Sequence, residues 1–269
     1  MGDLRDEIFA GLNGRTVTAV VLAAAAGIVT RVSRAAAAAE DLGLSVICAR
    51  ADGSGVRSGD EIIRIAGGPK QIAMSEERLI GLMAKASGIA TAARSFVEQA
   101  TPGLRVVSGA WKKLPLSQKE MIRDAIAAGG ADYRISREPF VYLDKNSVRM
   151  LGGVKEALTA VAGLGGYRKV IQLKGSYRDI ADEAREAVGN GADIIFVDTG
   201  EREDVVRVAA SLREWGLREQ VELAFAGNIT LDDIADLKRL DLDTVDIGRA
   251  IVDAPLLDMR VEVLEISGR

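Results

Sequence analysis

Lys169–Asp198 reads KVIQLKGSYRDIADEAREAVGNGADIIFVD. One apolar run, KVIQL, leads through Gly175 into the amphipathic stretch YRDIADEAREAVGNG, and a second apolar run, IIFVD, follows. Two short apolar runs with a helix-length amphipathic stretch between them make a strand–helix–strand unit, and such a crossover joins parallel strands. The alternation continues in both directions. Upstream, LRVVSG precedes LSQKEMIRDAIAAGG, and FVYL precedes one amphipathic stretch, SVRMLGGVKEALTAVAG. Downstream come EREDVVRVAASLREWG, QVELAFAGN, TLDDIADLKRL and a last short run, TVDIG. A series of this kind predicts an α/β domain with a barrel-like parallel sheet over residues 101–269.

Residues 1–100 have a different rhythm. RADGSGVRSGDEIIRIAGGPKQ sets turn residues around the apolar run EIIRIAG, which suits short strands joined by tight turns. SEERLIGLMAKASGIATAARSFVEQA then reads as one long helix, with Ser75 as its cap and Leu79, Leu82, Met83 and Ala86 at helical spacing. This predicts an N-terminal mixed α/β domain ending in a connecting helix, with the C-terminal tail packed on the N-terminal strands. Gly88 interrupts the helical run, and an isolated helical glycine marks a close approach to a neighbour.

Composition narrows the classes. The 269 residues are 48% hydrophobic and 28% charged, the balance of a globular chain with a substantial core. A net charge of −4 gives no support to a nucleic-acid partner. The apolar segment VTAVVLAAAAGIVTRV is too short and too quickly followed by arginine to span a bilayer, so no membrane partner is expected and the expected location is cytoplasmic. The chain has no histidine and one cysteine, Cys48, which its apolar surroundings mark as a small buried residue, so a structural zinc site is not expected.

In α/β barrels the ligand site gathers at the carboxyl ends of the strands. Here those ends carry Ser108, Lys112, Lys174, Asp198, Gly227, Asn228 and Gly248. AFAGNIT and VDIGRA place Gly227 with Asn228, and Gly248 with Arg249, on the last two strands, where glycine lets backbone N–H groups approach a phosphate. The alternative is that both glycines merely turn the chain. Asp198 suits a ribose hydroxyl, a magnesium ion or a helix cap. Lys112, Lys113 and Arg134 supply positive charge for phosphate or carboxylate.

These residues carry a resemblance. ERLIGLMAKASGIATAARSFVE resembles the segment of quinolinate phosphoribosyltransferases built around SGIAT, and SGDEIIRIAGGPKQI is similar to their N-terminal module. KKLPLS…GGADYR falls where they carry DTRKT and NHR patterns; GADIIFVD, ELAFAGNITLDDI and LDTVDIGRAIVDAPLLDMRVEV resemble their later strands in order. The resemblance runs from about residue 15 to 265. It implies an open α/β barrel of the type II phosphoribosyltransferase kind behind the N-terminal domain, in a homodimer or a multiple of one. It also implies phosphoribosyl transfer from phosphoribosyl pyrophosphate to a ring nitrogen, assisted by Mg2+, with Asp198 as the candidate magnesium ligand.

By the same resemblance Lys112, Arg134, Lys174 and Asp198 are the candidate catalytic residues. Arg78, Lys145, Gly227, Asn228, Gly248 and Arg249 are candidates for binding a small phosphorylated molecule. The departures cluster at one end. The family's DTRKT arginine falls on Trp111, its NHR histidine on Tyr133, its LIKDNH lysine on Asp144 and aspartate on Lys145, and a strand glutamate on Lys174. The phosphate end is kept and the end that grips a pyridine dicarboxylate is rebuilt. Two functions follow: a phosphoribosyltransferase on quinolinate or a less charged ring, or a catalytically altered relative that binds a phosphorylated ligand or acts as a partner protein.

Overall fold

The computed structural model describes residues 3–268. In chain order the first half runs α1 (Leu4–Ile8), β1 (Thr16–Ala23), β2 (Gly27–Ile28), α2 (Val32–Asp41), β3 (Ser45–Ala49), β4 (Gly55–Val56), β5 (Glu61–Gly67) and α3 (Pro69–Ala100). Then come β6 (Arg105–Val107), α4 (Leu116–Ala128), β7 (Phe140–Leu143), α5 (Lys145–Leu151), α6 (Val154–Ala160), β8 (Arg168–Leu173) and α7 (Ile180–Gly189). The chain ends with β9 (Ile194–Val197), α8 (Arg202–Glu214), β10 (Glu222–Ala226), α9 (Ile234–Leu237), β11 (Thr244–Asp246), α10 (Arg249–Val252) and β12 (Met259–Ser267).

Two compact units result, and neither follows a boundary at residue 100. Among the described residues, one takes 3–94, Leu114–Gly130 and 253–268; the other takes Ser95–Lys113 and Ala131–Val252. In the first, an antiparallel sheet runs β12-β1-β5-β3, so the C-terminal strand lies beside the N-terminal one. Val17, Ala19 and Val21 alternate inward from β1 and meet Ile63, Ile65, Leu79 and Met83 in one core. The α4 helix, expected in the barrel series, belongs to this unit, where Asp124 pairs with Arg31 at 3.1 Å and Glu120 with Arg34 at 2.9 Å.

Three local expectations need correction. Ser75 is not a cap: α3 starts at Pro69, whose fixed φ suits a first helical turn, and Ser75 is buried, its hydroxyl donating to the Ile72 carbonyl at 2.7 Å. Cys48 is exposed, because β3 is the edge strand of its sheet and its pairing shifts register between Val46 and Cys48. The stretch expected as one helix over 147–163 is two, α5 and α6, with Gly152 and Gly153 between them.

The second unit is built on a parallel six-stranded sheet in the order β6-β11-β10-β9-β8-β7. β6 and β7 stand at opposite ends of that order, as an open barrel requires. All four residues of β9, IIFV, are buried, as expected for a parallel strand covered on both faces. Val107, Val170, Ile194, Phe196 and Ala224 form the sheet's inner cluster, with Phe140 and Tyr142 packed against it. Because the strands are parallel, their carboxyl ends all open toward one side, and the loops after them carry the charged residues described next.

Candidate active site at the strand ends

Asp198 follows the last residue of β9, and two neighbours from β8 and the residue after it converge on its carboxylate. Gln172 donates its side-chain amide to Oδ2, and the Lys174 ammonium stands 3.3 Å from the same oxygen. Gln172 is fixed in turn, since its Oε1 accepts the backbone N–H of Lys145 at 2.8 Å. The loop after Lys174 is pinned by Glu183, a buried carboxylate on α7 that accepts backbone N–H groups of Gly175 at 3.0 Å and Tyr177 at 2.8 Å. Lys145, Arg149, Gln172, Lys174 and Tyr177 line a cavity of about 540 Å³ over this edge of the sheet.

A second carboxylate, Asp246, ends β11 and accepts the Gly109 N–H at 2.9 Å. Burial pushes it up to about 6; the Gly109 hydrogen bond and the charges of Lys112 and Lys113 act against that rise, and Asp198 adds to it. The Tyr142 phenol is raised, first by burial and then by the negative charges of Asp246, Asp198 and Asp144. Lys112 reaches over the Tyr142 ring, Nζ 5.0 Å from the centroid.

The positions carrying the departures have structural explanations. Trp111 and Tyr133 pack edge to face, centroids 6.4 Å apart, and the Trp111 indole N–H donates to the Tyr133 carbonyl at 2.7 Å. Asp144 caps α5, accepting both the backbone N–H and the hydroxyl of Ser147 at 2.7 Å. The backbone N–H bond, ahead of the hydroxyl, holds its carboxyl below the usual range.

Of the expected site residues, Lys174, Asp198 and Lys145 are brought together at one edge, with Lys112 on the Tyr142 ring beside them. Arg134 rests on Phe140, the first residue of β7, its guanidinium 5.3 Å from the ring centroid. Gly227 presses on the loop after β9: a Cβ there would stand 2.1 Å from the Gly200 Cα, and its φ of 145° suits glycine alone. Asn228 follows in the left-handed region at φ 48°. Gly248 has room, with the nearest atom to an added Cβ, the Ala110 Cβ, at 3.9 Å; Arg249 is exposed at the start of α10. Arg78 is exposed on α3 in the first unit and belongs to no cluster of the parallel sheet. Sequence reasoning did not single out Asp246, Gln172 or Tyr142. The signal for Asp246 was present: an aspartate flanked by Val245 and Ile247 in a short strand is a carboxylate under burial.

The residues do not fit a magnesium ion held by Asp198. Its Oδ2 already faces an ammonium and an amide donor, whereas magnesium needs oxygen ligands in near-octahedral array. Among the described residues no three acidic, histidine or cysteine side chains gather to hold a metal. Nor, among them, is any helix long and apolar enough to cross a membrane.

A parallel α/β sheet with lysines and carboxylates at its strand ends, in a chain that also carries an antiparallel α/β unit, defines a two-part α/β protein of the enzyme kind. The chain belongs to the quinolinate phosphoribosyl transferase family: the model of that family's N-terminal domain matches residues 3–87 and that of its C-terminal domain residues 89–262. A protein of Archaeoglobus fulgidus described as a probable carboxylating nicotinate-nucleotide pyrophosphorylase is 30% identical over 223 residues, 82% of this chain and 84% of that one. A Methanothermobacter thermautotrophicus protein of the same description is 26% identical over 254 residues, 93% of this chain and 89% of its own. The crystal structure of nicotinate-nucleotide pyrophosphorylase from Pyrococcus furiosus superposes with a TM-score of 0.84 at 20% identity, covering 99% of this chain and 74% of that one. The expected family and the expected open α/β barrel are therefore borne out.

Proposed function

We propose that this chain transfers a phosphoribosyl group from phosphoribosyl pyrophosphate to the ring nitrogen of an aromatic acceptor less charged than quinolinate. In that reaction the bond from the anomeric carbon to diphosphate breaks and a bond to the ring nitrogen forms. Positive charge grows on the ribose ring and negative charge on the departing diphosphate. Lys112 and Lys174 are assigned to the diphosphate and Asp198 to the ribose side, with Lys145 as a further cation of the site; Arg134, resting on the first residue of β7, is not brought to this cluster and keeps no role in it. Gly227, Asn228, Gly248 and Arg249 are assigned to the 5′-phosphate, which their backbone N–H groups approach. Arg78 keeps no role in one chain's sheet site; its assignment rests on a homodimer or a multiple of one, which sedimentation checks. The reading takes the cytoplasm as its setting.

One observation carries the choice of acceptor. Where the resemblance sets an arginine and a histidine, this chain sets Trp111 against Tyr133. Each charge-assisted hydrogen bond lost from a bound carboxylate costs about 1.5–3 kcal/mol, so losing two weakens a dicarboxylate by on the order of a hundredfold or more. An aromatic pair instead favours a flat ring held by its face or edge. The test is a steady-state assay of diphosphate release with magnesium, phosphoribosyl pyrophosphate, and quinolinate, nicotinate or nicotinamide in parallel. Faster turnover with the less charged rings is expected. Quinolinate turnover in the ordinary range of enzymes would overturn the acceptor assignment. Binding of phosphoribosyl pyrophosphate without turnover on any ring would favour the other function, a phosphate-binding relative.

A further inference from the structure

We propose that the Lys174 ammonium is the resident cation of this site, standing at Asp198 where a divalent ion would otherwise be held. Asp198 Oδ2 is claimed twice. Lys174 Nζ is 3.3 Å away, and the Gln172 amide donates to the same oxygen. Gln172 cannot turn its carbonyl toward a metal without releasing the Lys145 N–H, which holds its Oε1 at 2.8 Å. Four groups therefore form one line of contacts, from the Lys145 backbone N–H through Gln172 to Asp198 and Lys174.

Lys174 is also held in place from behind. The loop that begins at Gly175 is tied to the buried Glu183 through the N–H groups of Gly175 and Tyr177. A divalent ion arriving at Asp198 meets an ammonium at ion-pair distance, and like charges so close repel strongly in a partly buried setting. Meanwhile Lys174 faces the same cavity as Lys145 and Arg149, so the cation that neutralises Asp198 also presents positive charge to a ligand there. A diphosphate group is the chemistry this arrangement takes. That last assignment rests on the phosphoribosyl-transfer reading, but the exclusion of a divalent ion from Asp198 does not.

The experiment is a manganese titration of the ligand-free full chain, read as free Mn2+ by electron paramagnetic resonance. It uses no substrate, so it can fail or succeed whatever the chain transfers. Wild type is expected to leave the ion free through the micromolar range. Lys174→Glu, which replaces the ammonium with a carboxylate beside Asp198, is expected to create one saturable site at least about tenfold tighter than any wild-type binding. Lys174→Gln removes the charge without adding a carboxylate and is expected to fall between the two. A saturable wild-type site that disappears in Asp198→Asn would overturn the proposal. So would a Lys174→Glu chain that melts cooperatively yet binds Mn2+ as wild type does. Should Lys174→Glu not fold, the comparison of wild type with Asp198→Asn still decides.

Discussion

Replacing Asp246 by asparagine should make the protein more stable above neutral pH and leave it unchanged in acid. The Asp246 carboxyl is raised from 3.8 to about 6, with burial as the largest cause. In the unfolded chain the same carboxyl titrates near its ordinary value, so between the two values the unfolded state releases its proton first. Stability from this group is therefore fully present below about pH 4 and is lost as pH rises toward about 6. Above that the loss is complete and constant. The gap between 3.8 and about 6 corresponds to about 3 kcal/mol as an upper figure, at 1.36 kcal/mol for each pH unit.

Asparagine is the informative substitution, because its side-chain oxygen can still accept the Gly109 N–H while carrying no charge. Urea unfolding at a series of pH values is the assay. Asp246→Asn should exceed wild type by about 1–3 kcal/mol at pH 8, equivalent to several degrees in melting temperature, with the difference closing below about pH 4. A difference that does not change with pH would refute the burial account of this carboxylate. A gain in stability with loss of transfer activity would mark Asp246 as a charge kept for function at a cost to the fold.

Two further outcomes follow from glycine positions. Gly88→Ala should destabilise by about 2–4 kcal/mol in thermal melts, because an added Cβ would sit 1.9 Å from the Pro255 carbonyl oxygen and 2.9 Å from the Leu256 Cα; a melting temperature equal to wild type would show that this backbone can yield. Gly248→Leu should leave the melt within about 1 kcal/mol of wild type, since a Cβ there has its nearest neighbour at 3.9 Å, yet abolish calorimetric binding of phosphoribosyl pyrophosphate. Unchanged binding would reduce Gly248 to a turn.

The parallel sheet was legible because its central strands, β9 and β10, are buried on both faces and stand out as continuous apolar runs between amphipathic stretches. Gly88 was legible for a related reason: a glycine inside a helix former has a cost, and the Pro255 carbonyl explains why it is kept. What the sequence concealed depended on partners far along the chain. Periodicity assigned α4 to the barrel series, but its ion pairs to Arg31 and Arg34 join it to the other unit. Cys48 sits in an apolar run, and only its place on an edge strand makes it exposed. Asp144 looked like a negative charge set against an anionic substrate; its carboxylate is instead spent on the first turn of α5. The residues that hold Asp198 were half visible, since Lys174 stands at a strand end while Gln172 lies inside the strand.

Under the proposed function, the acids near Tyr142 have to admit an anionic ligand. The negative charges of Asp144, Asp198 and Asp246 all reach Tyr142, and each carboxylate is answered by a group of this chain. Asp144 is engaged by the Ser147 N–H and hydroxyl, and Asp198 by Lys174 and Gln172. Asp246 accepts from Gly109, and its raised carboxyl carries a proton more readily than an ordinary aspartate. Each acid thus has a partner within the chain, while Lys145 and Arg149 line the cavity and Lys112 stands over the Tyr142 ring. Exchanging a strand carboxylate for Lys174 therefore changes more than one contact. It gives Asp198 an ammonium and an amide as partners, and under the proposed function it leaves the diphosphate to side chains whose charge is fixed by the sequence. A chain organised this way should lose diphosphate affinity when lysine 174 is neutralised, and it should do so equally with or without chelator.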